Sequence, residues 1–124
     1  MGPVRPSGEL AERCAVTVLT YRRPVLLERT LTSFLELNPR FARVARIVVL
    51  AQDGTDTETQ RVLRSFESLI SLTVMVSENL GIGRGYSVLM AKARELGAEW
   101  GLHLEDDWEC RETFEPYVEG MVDL

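Results

Sequence analysis

At 124 residues the chain has the size of one domain and can bury a single core. Its 45% hydrophobic and 27% charged residues are ordinary globular composition, neither disordered nor fibrous. A net charge of -5 argues against nucleic acid as a partner, because no stripe of Lys and Arg is on hand to neutralise a phosphate backbone. Cys14 and Cys110 lie far apart without the spacing of a zinc site, and read as free thiols. No apolar run approaches the roughly 18 to 20 residues of a membrane span, and the start lacks a basic-then-apolar leader. The expectation is a cytoplasmic protein with no membrane span.

Residues 1–13 hold prolines and glycines and little apolar content, which suits a flexible N-terminal arm. Residues 14–124 form the single domain. Cys14 to Thr20 is short, apolar and β-branched, a strand buried on both faces. Tyr21-Arg22-Arg23-Pro24 ends it, and Pro24 fits the first turn of a helix, where its missing N–H costs nothing. Leu27, Leu31, Phe34 and Leu35 then recur at helical spacing up to a stop at Asn38-Pro39. A second strand runs from Ala45 to Ala51, closed by Gln52-Asp53-Gly54-Thr55-Asp56, a turn that also offers a helix cap. A second helix follows over 57–69, with Val62, Leu63, Phe66 and Leu69 on its apolar face. The third strand, Leu72 to Val76, leads into a glycine-rich segment from Ser77 to Gly85. Tyr86, Leu89, Met90, Ala93 and Leu96 mark a third helical face ending at Gly97, a natural terminator. The fourth strand, Trp100 to Leu104, delivers Glu105, Asp106 and Asp107. A last helix is expected over 112–121, with Phe114, Tyr117, Val118 and Met121 inward.

Such strict alternation with short connections predicts right-handed crossovers and a parallel sheet covered on both faces, a three-layer α/β/α fold. Ligands of these sheets sit beyond the carboxyl ends of the strands. All four unusual segments fall there: Thr20 to Arg23, Asp53 to Asp56, Asn79 to Gly85, and Glu105 to Asp107. They are read as one composite site.

Each segment also has a plain explanation. Three adjacent acids can be a solvated turn, yet at a strand end they repel one another and suit a hard cation such as Mg2+ or Mn2+, held by one or two carboxylates plus substrate phosphates. Tyr21 can be a surface aromatic and Arg22 and Arg23 a solvated pair; at a strand end they equally suit stacking on a base and contacting phosphate. Asp53 and Asp56 are common turn residues, and Asp53 can also accept from a pyrimidine edge or a ribose. Gly81-Ile-Gly83-Arg-Gly85 is not a dinucleotide fingerprint, since it follows the third strand and lacks the ribose acid. His103, between two leucines, reads as a packed core histidine rather than a base.

In combination these residues resemble the N-terminal, nucleotide-sugar-binding half of a GT-A glycosyltransferase, close to family 2. Val16-Thr-Val-Leu-Thr-Tyr21 with Arg23-Pro24 is similar to the opening strand and loop that receive uracil. Val48-Val-Leu-Ala-Gln-Asp-Gly-Thr-Asp56 is similar to the second strand and its Asp-Gly-Ser-x-Asp turn. Asn79-Leu-Gly-Ile-Gly followed by a helix, then Leu102-His-Leu-Glu-Asp-Asp107, resembles the segment leading to the DxD motif. The form Glu-Asp-Asp-x-Glu especially resembles N-acetylglucosaminyltransferases of the complex-glycan pathway. The resemblance spans Cys14 to about Tyr117. Arg22 stands where the family often has Asn, Ser87 where another Asn is common, and Glu105 as the first acid of the DxD.

The resemblance implies a metal-dependent glycosyltransferase that takes sugar from a nucleotide-diphosphate donor, UDP-linked by preference, to a sugar or lipid acceptor. It implies nucleotide contacts from Thr20, Tyr21, Arg22, Asp53, Asn79, Arg84, Glu105 and Asp106, and Mn2+ or Mg2+ on Asp107. The family's acceptor site and catalytic carboxylate lie downstream of the DxD, and the spacing of Glu115, Glu119 and Asp123 nominates none of them. Two alternatives follow: a minimal transferase that works as a homo-oligomer or with a partner, or a nucleotide-sugar binding module without transfer activity. A receiver-type signalling domain is set aside, because it needs an acid pair after the first strand, where Tyr21-Arg22 stand, and a lysine later than Lys92.

Overall fold

A computed structural model describes residues 12–113. Its elements run β1 (Cys14–Thr20), α1 (Pro24–Leu37), α2 (Pro39–Val44), β2 (Arg46–Ala51), α3 (Thr57–Phe66), β3 (Ser71–Val76), α4 (Gly81–Glu95) and β4 (Trp100–Glu105). The strands pair in parallel in the order β3-β2-β1-β4. The chain steps outward from β1 to β3 and then crosses back to the far side of β1. Right-handed crossovers make such a reversal switch faces, which places α1 and α3 on one side of the sheet and α4 on the other.

The larger core lies under α1, α2 and α3. Val16, Val18, Ile47 and Val49 point into it from the central strands and meet Leu27, Leu31, Phe34, Phe41, Leu63 and Phe66. The smaller core holds Ala15, Val48, Leu50, Leu89 and Ala93, beneath α4. Alternate residues of β1 and β2 thus enter opposite cores, which is why both strands are buried on both faces and mostly apolar, with Thr17 and Thr20 the buried polar exceptions in β1. The outer strands β3 and β4 are only partly covered.

Several expectations shift in detail. Asn38-Pro39 ends one helix but also begins another, since Pro39 at a first helical position lets six residues wind into α2 and bury Phe41 and Ala42. The second helix stops at Phe66, so Leu69 falls in the following turn and is 54% exposed rather than buried. Helix α4 starts at Gly81, which moves the glycines from a loop into its first turns. Tyr86 lies on its exposed side, while Leu89 and Ala93 carry the packing. Gly97 closes that helix with φ 92° and a paired set of bonds, Gly97 N to Arg94 O at 3.0 Å and Ala98 N to Ala93 O at 3.1 Å. The expected arm over residues 1–13 lies almost wholly outside the described residues, as do Phe114, Tyr117, Val118 and Met121 of the expected last helix.

Candidate functional site

Parallel strands bring Thr20, Ala51, Val76 and Glu105 to the same edge, and the four connecting segments meet beyond it. The reversal between β1 and β4 opens a crevice there, as expected at a topological switch point. Two cavities adjoin. One, of about 410 Å³, is lined by Tyr21, Gln52, Asp53, Val76 and Asn79 among others. The second, of about 440 Å³, is bordered by Thr20, Tyr21, Arg23, Gln52, Asn79, Glu105 and Asp106 among others. Tyr21, Gln52 and Asn79 belong to both and form the divide.

The first cavity is shaped by Asp53. Its Oδ1 accepts from Thr55 N at 2.9 Å and from Thr55 Oγ1 at 2.6 Å, and its Oδ2 accepts from Arg22 Nε at 2.7 Å. The two Thr55 bonds, with help from Arg22, hold the Asp53 carboxyl below its ordinary range. The same contact with Asp53 raises Arg22. Arg22 has φ 54°, a left-handed backbone that non-glycine residues seldom adopt, and its guanidinium stands 5.8 Å from the Tyr21 ring centre. Asp56 caps α3, accepting from Thr59 N at 3.3 Å and Thr59 Oγ1 at 2.7 Å. Its role is structural.

The second cavity holds the acids. Asp106 is buried and Glu105 and Asp107 are exposed. Thr30, a polar residue in the buried stripe of α1, donates to the Asp106 carbonyl at 2.9 Å, and Trp108 N reaches Glu105 O at 3.1 Å, so the acids ride a turn pinned to α1. Burial pushes the Asp106 carboxyl up, while the nearby Thr20 hydroxyl and then Arg23 pull it down. Thr20 Oγ1 lies near that carboxyl yet has no hydrogen bond of good geometry, a buried hydroxyl left open at the cavity wall.

Among the described residues, no three His, Cys, Asp or Glu side chains converge as a ready-made metal cage. The donor chemistry nonetheless fits Mn2+ or Mg2+, which need only one or two carboxylates when phosphates complete the shell. Asp107 and its neighbours supply oxygen donors, and the open Thr20 hydroxyl is another. His103, half-buried, has Nδ1 2.9 Å from Thr17 Oγ1 and an edge-to-face contact with Tyr86 at 5.1 Å. It is a packed residue, as its place between leucines indicated, though its Nε2 lies 3.8 Å from Glu105 Oε1. Burial raises Cys14 to about 12, leaving it an inert thiol.

Of the anticipated residues, the fold gathers Thr20, Tyr21, Asp53, Asn79, Glu105 and Asp106 on the two cavities and places Arg22 and Asp107 beside them. Arg84 sits on the exposed side of α4 and lines neither cavity. Asn79 Oδ1 accepts from Gly81 N at 3.0 Å, shaping the entry to α4. From the sequence, Gln52 reads only as part of a turn, and Arg23 only as one of a pair suited to solvent or to phosphate. Gln52 is 4% exposed, and its Oε1 accepts from Leu80 N at 2.7 Å. Its signal is a polar residue closing an otherwise apolar strand. Arg23 reaches both Asp106 and Asp107.

No protein-family model matches the chain, and no curated protein does. Solved structures do. S. aureus TarS 1-349 superposes with a TM-score of 0.73 at 19% identity, over 90% of this chain and 32% of that one. A longer TarS structure gives the same score and identity over 19% of its length. The mannosyltransferase PcManGT from Pyrobaculum calidifontis, solved with GDP-Man and Mn2+, gives 0.65 at 23% identity, over 86% of this chain and 31% of that one. The fold is therefore the α/β fold of GT-A glycosyltransferases. This chain spans about a third or less of the length of those structures.

Proposed function

We propose that the chain is the donor-binding part of a metal-dependent glycosyltransferase that uses a nucleotide-diphosphate sugar, UDP-linked by preference. The observation that carries this reading is the pair of adjoining cavities at the carboxyl edge of the sheet, one furnished by Tyr21 and Asp53, the other by Thr20, Arg23, Glu105 and Asp106. The first suits a base and ribose: Tyr21 offers an aromatic face and Asp53 an acceptor. The second suits a diphosphate. PcManGT, of similar fold, holds GDP-Man and Mn2+.

In this reading Tyr21 and Asp53 fix the base, Gln52 and Asn79 hold the divide between base and diphosphate, and Asp107 with its neighbours takes the cation. A divalent cation bound there would offset the charge of the diphosphate against the acids and stabilise the departing nucleotide. Without it, each close pair of like charges costs on the order of 1 kcal/mol or more at the dielectric of a protein surface. The acceptor, sugar or lipid, would meet parts of such an enzyme that follow the DxD.

Calorimetric titration with UDP, GDP, ADP and CDP, each with Mn2+ and with EDTA, tests the proposal. Binding of UDP in Mn2+ and its loss in EDTA is the expected result. Equal binding in both, or no nucleotide binding at all, refutes it.

A further inference from the structure

The donor-binding reading leaves open how the first cavity tells one base from another, and the hydrogen bonds around Asp53 bear on that. A carboxylate offers about four acceptor positions. Three are taken on Asp53: two on Oδ1 by Thr55 N and Oγ1, and one on Oδ2 by Arg22 Nε. A single acceptor position remains, on Oδ2.

Arg22 holds its place at a cost. Its left-handed backbone suits Gly or Asn far better than a long side chain, and such a conformation persists when the surroundings impose it. The imposing contact is the 2.7 Å bond to Asp53. Only Nε is used, and the Nη groups make no other hydrogen bond among the described residues. The Arg22 and Asp53 pair therefore presents one acceptor beside free donors, at the rim of a cavity that Tyr21 and Val76 also line.

We propose that Arg22 is a specificity-determining residue: by occupying Asp53 Oδ2 it matches the cavity to uracil and disfavours guanine. Uracil has one N–H between two carbonyls, so N3–H fills the remaining acceptor and a neighbouring carbonyl receives an Arg22 Nη donor. Guanine brings two adjacent donors, N1–H and the N2 amino group, and one of them is left without a partner. Sites that bury an unpaired polar group discriminate strongly against the ligand responsible. Arginine is needed because its fork can donate to Asp53 and to the base at once, which a lysine cannot do in a fixed geometry.

The test uses the full chain as wild type, Arg22→Asn and Arg22→Lys, titrated with UDP and GDP in Mn2+, with thermal unfolding recorded for each. Wild type should favour UDP over GDP by about tenfold or more. Arg22→Asn relieves the backbone and should unfold no lower than wild type, yet bring the two affinities to within about threefold. Arg22→Lys keeps the charge and should lose the preference as well. If either variant keeps the wild-type ratio, the inference is overturned while the donor-binding reading stands; if wild type favours GDP, the inference and the UDP preference both fall, while binding of a nucleotide-diphosphate donor stands. Failure of wild type to bind either nucleotide overturns both.

Discussion

Arg23 Nη1 lies 3.4 Å from Asp106 Oδ1, and the same nitrogen is 3.6 Å from Asp107 Oδ2, so one guanidinium serves as internal counter-ion to both acids. This arrangement explains how Asp106 and Asp107 tolerate one another just past β4, while Glu105 turns towards His103, with Oε1 3.8 Å from its Nε2. It also means that a metal cation arriving at these carboxylates competes with a charge already there. Arg23 is half exposed, so each pair is worth less than about 1 kcal/mol.

Removing that competitor should favour the cation. Arg23→Ala is expected to raise the affinity for Mn2+ alone by about three- to tenfold, the equivalent of roughly 1 kcal/mol. The paramagnetic resonance signal of free Mn2+, followed through a titration without nucleotide, reads this directly. Unchanged binding would mean that the cation is not drawn to Asp106 and Asp107.

Asp107→Asn is expected to abolish most metal-dependent nucleotide affinity, by about tenfold or more. The side chain is 49% exposed and its ion pair with Arg23 is weak, so stability should stay within roughly 0.5 kcal/mol of wild type. Titration of UDP in Mn2+ together with urea unfolding separates the two effects. A variant that binds as tightly as wild type would return the triplet to an ordinary solvated turn.

The central strands were legible because burial on both faces leaves short, β-branched and mostly apolar runs, as in Val16 to Leu19, where only Thr17 is polar, and Ile47 to Ala51. The placement of the candidate site was legible too, since parallel order forces Thr20, Asp53, Asn79 and Glu105 to one edge. What the residues alone did not reveal were relationships between segments. Nothing in Gln52 announces that it will reach Leu80, 28 residues onward. The glycines of Gly81 to Gly85 suggested a loop, whereas Gly85 serves helix packing. Thr30 reads as an interruption in an amphipathic stripe until its bond to the Asp106 carbonyl is seen.

Asp53 supplies a pH dependence. Its folded-state pKa is depressed below the ordinary 3.8, chiefly by the two Thr55 bonds. The unfolded chain therefore binds the proton more readily, so the stabilisation is fully present above 3.8 and is lost as pH falls through the lower folded value. Asp53→Asn should unfold more easily than wild type at neutral pH, with the gap closing as pH falls below 3.8. Urea unfolding of both proteins at several pH values checks this, and a gap that widens on acidification would contradict the assignment.

Two glycines of α4 should respond in opposite ways. A Cβ on Gly83 would meet nothing within 4 Å, so Gly83→Ala should stabilise the protein by about 0.5–1 kcal/mol through helix propensity. On Gly85 a Cβ would stand 2.8 Å from Leu19 Cδ1 and 3.3 Å from Gln52 Oε1. Leu19 can yield slightly to a methyl group but not to a branched side chain wedged between helix and sheet. Gly85→Val is therefore expected to destabilise by about 1–3 kcal/mol, the usual cost of overpacking. It should also displace Gln52, whose Oε1 holds Leu80 N at 2.7 Å and whose side chain lies between the two cavities. Nucleotide affinity should thus fall for Gly85→Val and remain unchanged for Gly83→Ala, even at temperatures where both are fully folded. Should Gly85→Val lose stability yet bind nucleotide like wild type, Gln52 would have no part in shaping the divide.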